Sequence, residues 1–540
     1  DGDDPDPSED ASSKYFLADK SSPWWAVAAS LFASNIGAEH FVGLAGVACF
    51  SGVAVGFYEW GAVICLLVLG YLFLPVYVNA SLSTMPEYMA RRYSAGCGQV
   101  VVYLSLALYV LTKIAATLFA GELILAEVSH MPAWASVLCL ILGTAAYTLV
   151  GGLKAVIYTE ALQTVVLFIG GFALLGVSLA EVGGLHTFIR DSEPPAGQPY
   201  YFKIFRPFDD ADFPFTGFLT GYFLTSLWYW CSDQVITQRV IAARDRIEHA
   251  RGGCVGASYL KLLPGFIMVV PGMIARELMT REGVLDTNSP RSDYDRAFTW
   301  LVLNCMPINL RGLLIASMIS ALMSSLASVF NSCATIMALD VYKKHRPAGT
   351  VSERELVWVG RATVVVVAGL SMAWLPVIPL LGDQLFVWIQ KPPSYFAPPI
   401  FSAYLWGALS SKVSARGAGW SLAVGLSVGL LRFLLEIAHE TEVLALRGGA
   451  GLAAAFVEAN FLHFSLLNFL LSSAVLFAAS CVGKPAPAPE ARLLFHWRLY
   501  GQIRRRGGAS VYERTEEMEL VRLNDSQQLQ GGGSDKEEGE

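Results

Sequence analysis

Charge is scarce in this chain. Only 15% of its residues are Asp, Glu, Lys or Arg, where a soluble protein carries about a quarter. Much of the acid collects at the ends, DGDDPDPSEDAS at the start and SDKEEGE at the finish. These read as solvated tails, so the net charge of -7 implies no nucleic-acid partner. Zinc-ligand spacing, a phosphate-binding glycine loop and a catalytic triad are missing, so nothing in the sequence supports an enzyme. The nine cysteines lie mostly inside apolar segments (Cys49, Cys65, Cys139, Cys231, Cys333), with no closely paired set in a candidate external loop. They read as small core residues, not as a disulfide framework. The acidic start also lacks the basic and apolar regions of a cleavable signal peptide.

What is present is apolar. Hydrophobic residues make up 54% of the chain, and the mean hydropathy is +0.48. A membrane span needs about 20 apolar residues. Twelve segments qualify, some interrupted: 24–50, 54–78, 98–127, 132–151, 155–183, 214–237, 255–274, 310–341, 357–377, 384–408, 418–437 and 454–482. The fold class is therefore all-α and polytopic. Basic clusters at Arg91-Arg92, at 239–251, at Lys343-Lys344-His345-Arg346, at Lys412 with Arg416 and at 504–506 fall on one side if the spans alternate, together with both termini. Basic loops stay in the cytoplasm, so that side is predicted to be inside. The longer loops 184–213 and 275–309 then lie outside and carry no glycosylation sequon; the two sequons, at Asn79 and Asn524, are inside. An acidic segment over 1–22 precedes the membrane-spanning region 23–483. A polar cytoplasmic tail over 484–540 follows, with one short amphipathic stretch near VYERTEEMELVRL and disorder beyond it.

The most informative stretch is LFASNIGAEHFVGLAG, residues 31–46. It is a span interrupted at Ser34-Asn35-Ile36-Gly37, with Glu39 and His40 directly after. In a bilayer every backbone group must be satisfied, so a helix breaks only where the break lines a cavity or an ion site. A glycine kink alone does not call for Asn, Glu and His beside it.

SNIGAEHFVGLAG, TMPEYMARRY, GGLKAVIYTEALQT, SLWYWCSDQVITQR, SYLKLLP and ALMSSLASVFNS, taken in order, resemble the sodium/glucose cotransporters of the sodium/solute symporter family. The resemblance runs from about Tyr15 to about Gly483. It implies a LeuT-type fold of two inverted five-helix repeats with broken helices, over 24–183 and 214–408, with extra helices over 418–482. The family usually has one more helix before the first broken one and often one more after the last span here; this chain shows neither. A small single-span partner subunit is a possible accompaniment.

The same resemblance implies the ligands. Sodium is to be held by the carbonyls of Ala33, Ile36 and Ala321 and the hydroxyls of Ser324 and Ser325. This suits a hard cation, which prefers oxygen and takes carbonyls freed by an unwound helix. Read alone, ALMSSLAS is equally a small-residue packing face whose serines bond back to their own helix. Some relatives bind a second sodium through a carboxylate on the fifth span. Here Glu160 stands where Asp is usual and Ala327 removes a hydroxyl, leaving Ser328, which resembles the single-sodium members.

For the sugar, the resemblance implies contacts from Asn35, His40, Glu59, Ser226, Trp230, Lys261 and Gln390, with Tyr229 closing the inner side. Neutral polyols call for such a mixture of donors, acceptors and one flat aromatic face. An interfacial aromatic belt is the competing reading of Trp228–Trp230, and snorkelling that of Lys261. There are four departures from the pattern: Glu39 for glycine, Lys391 with Pro392-Pro393 after Gln390, Thr117 for aspartate, and Lys154 for a small residue. Glu39 and Lys391, opposite charges on segments that meet at the site, are expected to pair; the competing reading is that each faces an aqueous vestibule separately.

The function expected is Na+-coupled symport of a glucose-like hexose across the plasma membrane by alternating access. The alternatives are transport of another polyol such as myo-inositol, a sugar-gated ion-conducting sensor, and a non-transporting subunit that binds partners through its tail.

Overall fold

The computed structural model of the protein describes residues 15–18, 21–37, 39–129, 131–191, 199–210, 212–244, 247–286, 289–347, 350–374, 385–440, 456–482 and 491–495. Among these there is no strand, only an isolated bridge between Ser22 and Ala243. Each of the twelve expected spans lies mainly on helix, and eight helices are long and apolar enough to cross a membrane. Most of the expected tail over 484–540, and residues 1–14 of the acidic start, lie outside the described residues. Residues 15–18 are not a solvated segment. Tyr15, Phe16 and Leu17 are buried, and the Phe16 carbonyl accepts from Gln238 Nε2 at 2.6 Å.

Two spans are broken as helices. The Trp24–Ala33 helix ends at Ser34, and the chain resumes as a π-helical turn over Glu39–Leu44 that runs into Ala45–Ser51. The second break falls between Phe223–Ser232 and Gln234–Ile241, where Asp233 is extended (φ -78°, ψ 134°). Its Oδ1 accepts from the Val235 amide at 2.9 Å and so caps the second half-helix.

Elsewhere the sequence states its own boundaries. Thr84 caps Met85–Arg92 by accepting from the Glu87 amide at 3.3 Å, while Glu87 Oε2 accepts from the Ser83 amide at 2.9 Å. This is the reciprocal arrangement of a capping box, displaced by one residue. At the other end of that helix, Arg92 donates to the carbonyls of Gly407 and Ser410 at 2.9 and 2.7 Å, satisfying the C-terminus of Leu385–Leu409. The long element Ala133–Glu181 divides at Gly152, whose φ of 56° is left-handed and whose missing Cβ would stand 2.7 Å from the Tyr15 carbonyl oxygen. Glycine is required there on both counts.

Leu385–Leu409 contains four prolines, Pro392, Pro393, Pro398 and Pro399. A proline removes one helical N–H, and inside a membrane the carbonyl it abandons needs another donor. For Pro399 that carbonyl belongs to Tyr395, and Asn468 Nδ2 supplies the donor at 3.0 Å.

The expected external loops are largely built. In 184–213, Tyr201 is buried with its hydroxyl donating to the Cys49 carbonyl at 3.1 Å. The 275–309 stretch holds the end of Val270–Arg281 and the helix Ala297–Asn304.

Candidate functional site

A cavity of about 140 Å³ opens between the two breaks. That is on the order of ten times the space one buried water needs, so it suits a small solute. Of the expected sugar residues, Asn35, His40, Glu59, Ser226, Tyr229, Trp230 and Gln390 line it. Lys261 does not. It is fully buried behind the wall, with its ammonium 2.6 Å from Glu59 Oε2 and also bonded to Asn35 Oδ1.

These groups form one hydrogen-bonded chain. His40 Nε2 lies 2.9 Å from Glu59 Oε1, and Asn35 Nδ2 donates to the Tyr229 hydroxyl at 3.1 Å. Tyr229 stands edge-on to Trp230 with centroids 5.2 Å apart, and the Lys261 ammonium sits 5.4 Å from the Trp230 ring. A buried carboxylate is tolerable only when paired. Glu59 has two partners, so the wall is electrically closed while still presenting an amide, an imidazole and a phenol. Gln390 faces the cavity with no side-chain partner among the described residues.

Other lining residues were not singled out from the sequence as contacts: Tyr58, Tyr109, Thr112, Lys113 and Tyr222 among them. Lys113 pairs with Asp233 at the second break, 3.1 Å away, and lies 4.5 Å from the Tyr229 ring. Its signal was legible, since a lone cation inside an apolar run marks a site by default. Tyr109, Thr112 and Lys113 sit on a π-turn over Tyr109–Ile114, Tyr222 on another over Phe218–Tyr222, and Glu39 and His40 on the one after the first break. Such turns shift the helix register and recur at functional sites.

Of the oxygens expected to hold sodium, the carbonyls of Ala33 and Ile36 and the hydroxyl of Ser325 come to the first break. Gly37 N, which would close the helix onto Ala33, turns instead toward His40 Nδ1 at 3.4 Å, and neither the Ala33 nor the Ile36 carbonyl takes a backbone amide among the described residues. Ser325 Oγ packs against Gly37, is buried, and has no hydrogen-bond partner among the described residues. Ala321 and Ser324 lie on the same helix, with Ser324 Oγ donating to Glu160 Oε1 at 3.1 Å. Carbonyls without amides and an orphaned hydroxyl are a donor set that fits Na+.

Glu160 itself is fully buried. It also accepts from Ser328 at 2.8 Å, from Ser30, and from Arg239 Nη2 at 2.8 Å. Arg239, equally buried, donates to Ser328 as well. The carboxylate and hydroxyl considered for a second cation are thus bonded to a guanidinium.

The expected pairing of Glu39 with Lys391 is corrected. Lys391 Nζ lies 2.7 Å from Glu436 Oε1, a carboxylate that also accepts from the Tyr395 hydroxyl. Glu39 stands against Gly37 instead. Successive helix residues diverge by about 100°, so with Gln390 facing the cavity Lys391 must turn toward a neighbouring helix.

The profile of the sodium:solute symporter family matches residues 15–425. Pig sodium/glucose cotransporter 1 is 39% identical over 502 residues, covering 88% of this chain and 75% of the relative. Rabbit sodium/myo-inositol cotransporter 2 is 38% identical over 506 residues, covering 89% and 74%. Rat sodium/glucose cotransporter 2 is 39% identical over 519 residues, covering 90% and 76%. Among solved structures, a substrate-bound, outward-open Na+-coupled sialic acid symporter superposes with a TM-score of 0.71 over 88% of this chain and 93% of that one. At 18% identity the superposition establishes the fold alone, the LeuT-type arrangement of broken helices. The chain therefore belongs to the sodium:solute symporter family, as a multi-pass membrane protein whose coupling ion is Na+.

Proposed function

We propose that the protein carries a neutral hexose or inositol into the cell together with one Na+, by alternating access at the plasma membrane. The observation that carries this reading is the cavity wall. Asn35, His40, Glu59 and Tyr229 form a paired, net-balanced polar surface beside Trp230. A surface of matched charge with donors, acceptors and one aromatic face favours a polyol over an anion or a cation. Relatives named for glucose and for myo-inositol both share more than a third of their aligned residues with this chain.

In the mechanism that follows, Na+ settles on the oxygens of Ala33, Ile36, Ala321, Ser324 and Ser325 and fixes the first break relative to the Ser324–Ser325 helix. Asn35 and His40 flank that break, so the ion orders the sugar wall. The sugar then exchanges its hydroxyls for some of the bonds the wall makes with itself, and low internal Na+ drives release. One charge moving through 100 mV is worth about 2.3 kcal/mol, roughly a fifty-fold gradient. Arg239 supports a stoichiometry of one, because a tethered cation already holds Glu160 and Ser328. The basic clusters favour cytoplasmic termini for this chain.

Transport by cells expressing the full chain tests the reading. Labelled glucose and labelled myo-inositol are offered in turn, each with the other as competitor. Saturable Na+-dependent uptake of at least one, with competition by the other, is the expected result; uptake of neither contradicts the assignment.

A further inference from the structure

The charges of the cavity are matched, with one exception. Glu59 is held by His40 and Lys261, and Asp233 by Lys113. Glu39 lines the same cavity and is half-buried, and its carboxylate makes no hydrogen bond or ion pair among the described residues. Lys261 lies within its field, yet that ammonium is already bonded to Glu59 and Asn35.

What Glu39 meets is the helix break. A Cβ built on Gly37 would stand 2.7 Å from Glu39 Oε2 and 2.5 Å from Ser325 Oγ, so carboxylate and hydroxyl crowd the same bare Cα. Ser325 is only 5% exposed and its hydroxyl has no partner among the described residues. A buried hydroxyl aimed at the break and an unpaired carboxylate beside it are two hard oxygens that no group among the described residues satisfies. Burying either without a partner is unfavourable, and a small hard cation relieves both together.

We propose that Glu39 is a charged ligand of the transported sodium ion, adding a carboxylate to the neutral oxygens of the break. This rests on the reading of the Ser325 cleft as the sodium site. Neutral carbonyls and hydroxyls leave the ion's full charge in a low-dielectric setting; Glu39 cancels it, and affinity for hard cations rises with ligand charge.

The test uses purified full-length chain without sugar, titrating Na+ against choline at constant ionic strength while following the thermal unfolding midpoint. An ion bound only by the folded state raises that midpoint saturably. Glu39→Gln should need about tenfold more Na+ for half the effect. Glu39→Asp, which keeps the charge on a shorter arm, should fall between and carries the test if the Gln variant does not fold. Half-saturation at the wild-type Na+ concentration in the variants overturns the proposal. A Ser324→Ala, Ser325→Ala protein separates the two claims. If it responds to Na+ like the wild type, the reading of the cleft fails; if it loses the response while Glu39→Gln keeps it, only the role of Glu39 fails.

Discussion

The guanidinium of Arg239 lies 2.8 Å from the carboxylate of Glu160, and neither side chain has any solvent exposure. Ser30, Ser324 and Ser328 complete the carboxylate's bonds, so four elements of the bundle converge on one ion pair. Removing one member of such a pair strands the other and costs about 3–5 kcal/mol, whereas removing both can be nearly neutral. Arg239→Met should therefore lower stability by that order, and Arg239→Met combined with Glu160→Gln should recover most of it. Unfolding of the four proteins in detergent measures the cycle; losses that merely add would show that the pair is not coupled.

The same pair bears on coupling. With Arg239 holding Glu160 and Ser328, and Ala327 offering no hydroxyl, substrate-dependent current should reverse at the potential expected for one Na+ per sugar. A reversal potential that demands two would mean that the guanidinium withdraws during transport.

Gln390 faces the cavity and has no side-chain partner among the described residues, which leaves its amide for the solute. Gln390→Glu replaces a donor and an acceptor with acceptors only. Losing one buried donor to a sugar hydroxyl costs roughly 1–3 kcal/mol. Apparent affinity across a panel of hexoses and inositols should fall about five- to a hundredfold, unequally among them. Unchanged affinities would remove Gln390 from the contact surface.

Lys391 binds Glu436, not Glu39. Lys391→Ser and Glu436→Gln should then be non-additive, with a coupling of about 1 kcal/mol, while Glu39→Gly and Lys391→Ser should simply add. Two thermal-unfolding cycles sharing the Lys391→Ser protein distinguish the pairs, and coupling to Glu39 would contradict the geometry.

The spans and the first break were legible because each leaves a local mark: apolar runs of spanning length, and an Asn-Ile-Gly interruption with polar residues beside it; the residues of the wall were implied by the family resemblance. Partnerships were not. That Lys391 reaches Glu436 depends on which face of a proline-rich helix it occupies, and on a carboxylate 45 positions away that the apolar pattern absorbs. A helical-wheel count from Gln390 would have turned Lys391 away from Glu39, but it could not have named Glu436. Lys261 lay within the right motif, yet its position behind Glu59, not beside the solute, follows only from packing. The role of Arg239 was hidden for a similar reason. Its motif reads as part of a basic cluster at a helix end, while the folded chain draws it into the core.

The central claim is that Na+ and a neutral sugar or polyol cross together through the cavity between the two breaks. Proteoliposomes containing the purified chain, loaded with labelled glucose or myo-inositol outside and given an inward Na+ gradient, test it most directly. The expected result is accumulation of solute above its external concentration, abolished by collapsing the gradient and reduced by Gln390→Glu. Current without accumulation, or uptake indifferent to Na+, would contradict it.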